Sequence, residues 1–432
     1  MERKFVAKLN DWKSNPARKP LVISGARQVG KTYTMLSFGK EQYKNTVYIN
    51  LEDSQDVQAI FERDLKPARI VRELSTQAGQ SIFPGDTLII FDEIQSCERA
   101  LTSLKYFCEN APEYHIMAAG SLLGVAMNRE KYSFPVGKVD MLTMHPLDFE
   151  EFLFATDNAP LAALIRESFA DFSPLSLHNT ALDLYKTYLV VGGMPQAVLE
   201  YVNKRDFDFV VAAQKNINDA YIADMAKYAS PQETTKIMAA WASIPAQLSK
   251  ENRKFQYKVI KSGARAHEYE TPLGWLAFAG IIHKCVRITE GKMPLMAYAD
   301  NDSFKVYMMD TGLLCSKFGI SANVVLNSIP SFDGFKGALA ENYICHCLVT
   351  NGITPFYWSS PGKAELDFVF QNNQGNIIPL EAKSADNVRS KSLNRFVELY
   401  KPEYALRVSA KNFGYENGIK SVPLYAVFCI EP

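Results

Sequence analysis

The chain has 432 residues, 47% of them hydrophobic, which is more than one core accommodates and enough to build two or three. Lys plus Arg and Asp plus Glu both total 47, which excludes a global positive field for nucleic acid and leaves only a local patch for that purpose. The charged start "MERKFVAKLNDWK" lacks the apolar run of a signal peptide, and no later stretch is apolar for the span of a bilayer, so a cytoplasmic protein with no membrane partner is expected.

The first pattern is "PLVISGARQVGKTYTMLSF", a β-branched strand over 21–24, a glycine-bearing loop and a helix from about Lys31. The loop fits G-x-x-x-x-G-K-[ST] and offers Gly25, Ala26, Arg27, Gln28, Val29, Gly30, Lys31, Thr32 and Tyr33 as the nucleotide cradle. Glycines let the backbone turn its N–H groups inward, and the helix N-terminus adds partial positive charge where phosphate sits. Lys31 is expected on the β- and γ-phosphates of ATP and Thr32 on Mg2+. A second strand is expected over 46–51.

"DTLIIFDEIQ" follows, with a continuous apolar run over 88–91 of buried parallel-strand character and two acids at its tip. Asp92 is placed to hold Mg2+ through water and Glu93 to polarise the attacking water. A further strand over 114–119 precedes Ser121, which reads either as a γ-phosphate sensor between the acidic strand and the loop or as a helix N-cap before "LLGVAM". The chemistry implied is phosphoryl transfer from ATP to water, by positioning and electrostatics.

From 161 to 247 apolar residues recur at helical spacing, with breaks at Gly192-Gly193 and Pro231, and this region is expected to cover the ATPase core. Short helices up to Gly280, then strands over 281–288 and in "SFKVYMMD", follow the order of a winged helix-turn-helix. Lys250, Arg253, Lys254, Lys258, Lys261 and Arg265 cluster there, either as a phosphate-tracking patch for DNA or RNA or as a solvated face. In "MMDTGLL", Asp310 and Gly312 read as a turn fixing domain packing.

The last part orders a helix bearing Glu341, the strands "PFYWSS", "ELDFVF" and "NIIPLEAKS", and a closing helix. Side chains two apart on a strand share a face, so Glu381 and Lys383 project together, and Asp367 on the partner strand can meet them. With Glu341 these offer hard oxygen ligands for a second Mg2+ and a lysine to stabilise phosphate, or else the frame of such a centre that only folds or binds. Seven cysteines without a CxxC pair fit reduced thiols, and "CHC" at Cys345 to Cys347, in a helical pattern, reads as buried and metal-free.

Together "LVISGARQVGKT", "LIIFDEIQ", "AAGS", "SFPVGKVDMLTMHPLDFEEFL" and "YLVVGGMPQAVLEY" resemble the bacterial and archaeal AAA-type P-loop ATPases with a C-terminal domain of unknown function related to PD-(D/E)xK nucleases. "HPLDFEEFL" and "GGMPQ" are the parts most particular to that group. The resemblance implies an α/β fold: a P-loop NTPase parallel sheet flanked by helices over 1–155, a helical and winged-helix-like region over 156–330, and a small α/β nuclease-like domain over 331–432. It maps Glu341, Asp367, Glu381 and Lys383 onto the nuclease-like site. Many relatives look to have Gly-Arg where this chain has Gly137-Lys138; lysine keeps the charge and loses the bidentate fork. Lys138, on the phosphates of its own or a neighbouring subunit, and Arg129 both stand as finger candidates. The expectation is an ATP-hydrolysing switch, with a homo-oligomer as one partner, gating a nuclease-like domain that acts on nucleic acid. The alternative is a nucleotide-responsive binding or assembly module whose nuclease-like domain is inactive.

Overall fold

Leu21–Ser24 (β1) is a short apolar run that Gly25 ends, and it becomes an interior strand of a parallel sheet. Its partners are Asn45–Asn50 (β2), Thr87–Asp92 (β3), His115–Ala119 (β4) and Asp140–Thr143 (β5), in the order β2-β3-β4-β1-β5. Every residue of β3 is buried, because helices cover the sheet on both faces. On one face Val47, Ile89, Phe91 and Ile116 pack with Phe61, Ile70, Leu74, Leu104 and Phe107 of the helices Gln55–Arg63, Pro67–Ala78 and Glu98–Asn110. On the other, Gly39 lets the helix Lys31–Gln42 settle onto the sheet, since a Cβ there would lie 2.5 Å from the Thr46 hydroxyl and 3.2 Å from Leu88. The computed structural model describes the chain except residues 54, 121–133, 251–252, 328–332, 361–363 and 384–390. Ser121 and Arg129 therefore lie outside the described residues.

Two compact units emerge, residues 3–145 with 278–280, and residues 1–2, 146–277 and 281–432. The second begins with helices: Phe149–Ala155, Ala159–Asp171, His178–Val191, Pro195–Lys204, Phe207–Tyr228 and Pro231–Leu248. Eight strands follow: Ile282–Ile288 (β6), Ala299–Met308 (β7), Phe356–Ser359 (β8), Glu365–Gln371 (β9), Ile377–Ala382 (β10), Ala405–Ser409 (β11), Gly414–Glu416 (β12) and Ile419–Pro423 (β13). They form one sheet in the order β12-β13-β11-β10-β9-β8-β6-β7.

That sheet changes how the middle of the chain is read. β6 and β7 do form an antiparallel hairpin, but β6 also runs parallel to β8, with Val286 opposite Phe356 and Ile288 opposite Trp358. The expected wing is thus part of the C-terminal sheet, which crosses the 330/331 line. Apolar alternation gives a strand and its faces, and leaves open which later strand lies alongside.

"HPLDFEEFL" and "GGMPQ" form a packing knot. Asp148 caps the helix Phe149–Ala155 by accepting from the Glu151 amide at 2.9 Å, while Glu151 accepts from the Asp148 amide at 3.2 Å. Glu150 is paired with Arg166. The Leu147 amide donates to the Gly193 carbonyl at 2.7 Å, and a Cβ on Gly193 would lie 1.8 Å from the Leu147 oxygen. Asp310, fully buried, accepts from the amides of Gly193 at 2.6 Å and Leu313 at 2.8 Å, in the turn its sequence suggested. Burial pushes its carboxyl up to about 6 against the opposing pull of those amides.

Candidate functional site

The first site sits at the C-terminal edge of the parallel sheet, where β1 and β3 end. Gly25, Gln28 and Gly30 have φ values of 137°, 64° and 97°, which bend the loop back on itself. Behind it a Cβ on Gly25 would lie 2.2 Å from the Met144 carbonyl oxygen, so glycine there is a requirement of close backbone approach. The buried Lys31 ammonium donates to the carbonyls of Gly25 at 2.8 Å and Ala26 at 2.7 Å. Val29 and Ala26 face the core, whereas Tyr33 is 66% exposed on the first turn of the helix.

The acidic strand meets the loop. The Thr32 hydroxyl donates to Asp92 Oδ2 at 2.6 Å across 60 residues of sequence, and the Tyr48 hydroxyl reaches the same oxygen at 3.1 Å. Burial, then Asp92 itself, push the Tyr48 phenol above its ordinary range, so it stays a donor to that carboxylate. Glu93 follows in a left-handed conformation with φ 50°, its carboxylate accepting from the Gln95 amide group. A hydroxyl and a carboxylate side by side at a phosphate loop are the hard oxygen donors that Mg2+ takes, so the residues present fit that ion. Tyr48 was not legible as a partner; its place on β2, level with Ile90, is a matter of register.

Lys138 stands elsewhere. β5 lies parallel to β1 with Asp140 level with Leu21, so Lys138 precedes the N-terminal edge of the sheet while the loop follows its C-terminal edge. There it pairs with Glu109 at 2.9 Å. The length of the strand separates this finger candidate from the phosphate loop of its own chain.

The second set of candidates comes together only in part. Glu381 and Lys383 share a face, with Lys383 Nζ 2.6 Å from Glu381 Oε1, and Asp367 Oδ2 accepts from the Ala382 amide at 2.8 Å. Glu341, on the helix Asp333–Thr350, is buried and engaged by other groups: the Arg253 guanidinium, the Tyr307 hydroxyl at 3.0 Å and Lys305 Nζ at 3.9 Å. Lys305, 1% exposed, also meets Glu365 at 2.6 Å. Gly337, one turn before Glu341, leaves room for the guanidinium, as a Cβ there would lie 2.5 Å from an Arg253 nitrogen.

The four residues expected around a second Mg2+ are thus engaged by different partners. Among the described residues no group of three or more His, Cys, Asp and Glu is arranged to hold a metal, and cations pair with Glu341, Glu365 and Glu381. The basic cluster loses Arg253 to this pairing, and Lys250 Nζ donates to Gln256 at 3.0 Å, while Lys258, Lys261 and Arg265 stay exposed. Sequence reasoning missed Lys305 and Tyr307, although a lysine inside the apolar run "SFKVYM" was a signal. Cys345, His346 and Cys347 are all buried, His346 lying 3.3 Å from His283.

Comparisons with known proteins match three stretches of the chain. Residues 17–153 match the family model of an AAA domain, 182–324 a domain of unknown function (DUF8612) and 336–427 another domain of unknown function (DUF4143). No curated protein matches. Similar solved structures include the Walker-type ATPase PABY2304 of Pyrococcus abyssi, 14% identical, covering 73% of this chain and 95% of that one, TM-score 0.45. The ORC2 protein of Aeropyrum pernix in its ADPNP–ADP complexes is 14% identical over 76% of this chain and 92% of that one, TM-score 0.38. AMPPCP-bound DnaA from Aquifex aeolicus is 13% identical over 77% and 88%, TM-score 0.30. No helix among the described residues is long and apolar enough to cross a membrane. The domain match and the loop geometry agree that residues 17–153 form an AAA-type P-loop domain.

Proposed function

We propose that this chain is a Mg2+-dependent ATPase acting as a nucleotide switch, and that its C-terminal unit is a nuclease-like frame used for binding or assembly. The observation that carries the first half is the 2.6 Å contact between Thr32 and Asp92, which joins two motifs 60 residues apart at one sheet edge. In this reading the loop amides from Gly25 to Thr32 bind the phosphates and Lys31 balances their charge. Thr32 and Asp92 would hold Mg2+, which when bound neutralises charge on the phosphate oxygens. Glu93 orients the attacking water and accepts its proton, and Gln95 holds that carboxylate in place beforehand. Ser121 remains a sensor candidate in this proposal.

The second half is favoured over cleavage because Arg253 and Lys305 already supply the positive charge at Glu341. A homo-oligomer in which Lys138 reaches a neighbour's phosphates, and contact of DNA or RNA with Lys258, Lys261 and Arg265, are the partner readings that go with it. The test is a combined ATPase and nuclease assay. Glu93→Gln is expected to keep ATP affinity and slow turnover about 100-fold. Wild type and Lys383→Ala are expected to be equally inert on DNA and RNA with Mg2+ under any nucleotide. Unchanged turnover in Glu93→Gln, or cleavage that vanishes in Lys383→Ala, would overturn the respective half.

A further inference from the structure

We infer that Arg3 is a positioning residue of the nucleotide site, one that aims the Gly30 amide at phosphate. The inference rests on the ATPase reading and deepens it. Arg3 is 9% exposed, and its guanidinium donates to two backbone oxygens far apart in sequence: Val29 at 3.0 Å and His145 at 2.7 Å. The Val29 oxygen belongs to the same planar trans peptide as the Gly30 N–H, so the two point in opposite directions. Fixing the oxygen fixes the amide. Gly30 is the last residue of the loop before Lys31, has φ 97°, and caps the helix Lys31–Gln42 without a side chain to hold it. Arg3 supplies from outside the restraint that glycine cannot supply itself.

The second contact gives the guanidinium a fixed base. His145 directly follows Met144, whose carbonyl is the surface against which Gly25 is pressed. One planar fork thus spans the far end of the loop and the strand-exit segment backing its near end, a geometry that suits arginine and not lysine. The His145 residue is half-buried, and its imidazole is pushed down to about 4, first by burial and then by Lys8 and Arg3, so it adds no competing positive charge at neutral pH.

Fluorescent-ADP titration and steady-state ATPase kinetics on the full chain test this, with hydrogen exchange of the Gly30 and Lys31 amides as a second measurement. Arg3→Ala is expected to weaken nucleotide binding about ten-fold, in Kd and KM, with kcat changed less than two-fold. Nucleotide-induced protection of Gly30 should fall in parallel. Arg3→Lys, which reaches one carbonyl at a time, is expected to recover only part of the affinity. Equal Kd and equal Gly30 protection in wild type and Arg3→Ala would overturn the inference. If Arg3→Ala does not fold, full wild-type affinity in Arg3→Lys has the same force. A wild type that binds no nucleotide would instead overturn the ATPase reading.

Discussion

Two places in this molecule combine carboxylates with a lysine, and they are built oppositely. At the sheet edge of the first unit, Asp92 is met by the hydroxyls of Thr32 and Tyr48, and Lys31 donates to the carbonyls of Gly25 and Ala26. In the second unit Glu341 meets Arg253 and Lys305, Glu365 meets Lys305, and Glu381 meets Lys383. Carboxylates surrounded by neutral donors stay available to a ligand's charge, whereas carboxylates already paired hold protein segments together. The same residue type thus meets neutral hydroxyls in one place and cations in the other.

Exchanging the roles is the strongest way to break that contrast. Arg253→Ala leaves Glu341 buried beside a weaker counter-charge, and is expected to cost the second unit about 3 kcal/mol in denaturant unfolding while nucleotide affinity stays unchanged. Lys31→Ala should do the reverse, weakening nucleotide binding about 100-fold with little change in unfolding midpoint. Loss of nucleotide affinity in Arg253→Ala would show that the two sites are not separate in function.

A subtler change sharpens the architectural half. In a helix interior Gly→Ala is worth about 1 kcal/mol of propensity. At Gly337 that gain is opposed by displacement of the Arg253 guanidinium. Gly337→Ala is therefore expected to be nearly neutral in wild type and to stabilise by about 1 kcal/mol in the Arg253→Ala background. Equal effects in both backgrounds would mean that the guanidinium does not need the space.

The smallest effect separates the units by pH. His115 accepts from Arg18 at Nε2 and donates from Nδ1 to the Tyr43 hydroxyl at 2.8 Å, a tautomer fixed by arginine being a donor only. Burial, then Arg18 and Lys13, push its imidazole down to about 4, so its contribution to the first unit is present above the ordinary 6.5 and is lost as pH falls through 4. Asp310, raised to about 6, acts with the opposite sign: its contribution to the second unit is present below the ordinary 3.8 and is lost as pH rises through 6. Between pH 4 and 6 the slopes of unfolding free energy should therefore oppose each other, and His115→Gln and Asp310→Asn should each flatten one of them.

How much of this was legible depended on distance along the chain. β1, the loop and the acidic strand were readable because each is a contiguous pattern whose physical demands are local. β5 passed unread: four residues at a sheet edge, alternately half-buried and exposed, carry little apolar signal. Arg253 looked like one of six surface cations, and its partner lies 88 residues away. Glu381 and Lys383 were correctly placed on one face by strand alternation. Glu341 was correctly placed on a helix, but nothing in its neighbourhood tells which cations later arrive beside it.

The glycine doublet at 192–193 has a bearing on how related sequences drift. Side chains at Gly193 and Gly312 would collide with the backbone oxygens of Leu147 and Val191, and one at Gly192 with the Asp310 carboxylate that ties the turn. Backbone cannot be trimmed by a second substitution, so no neighbour can compensate for a side chain at Gly193 or Gly312, whereas one at Gly192 meets a carboxylate that could be changed with it. Sequences sharing "GGMPQ" and "DTG" with this chain would therefore share its helical joint, and could do so while their acids, lysines and catalytic fates diverge freely.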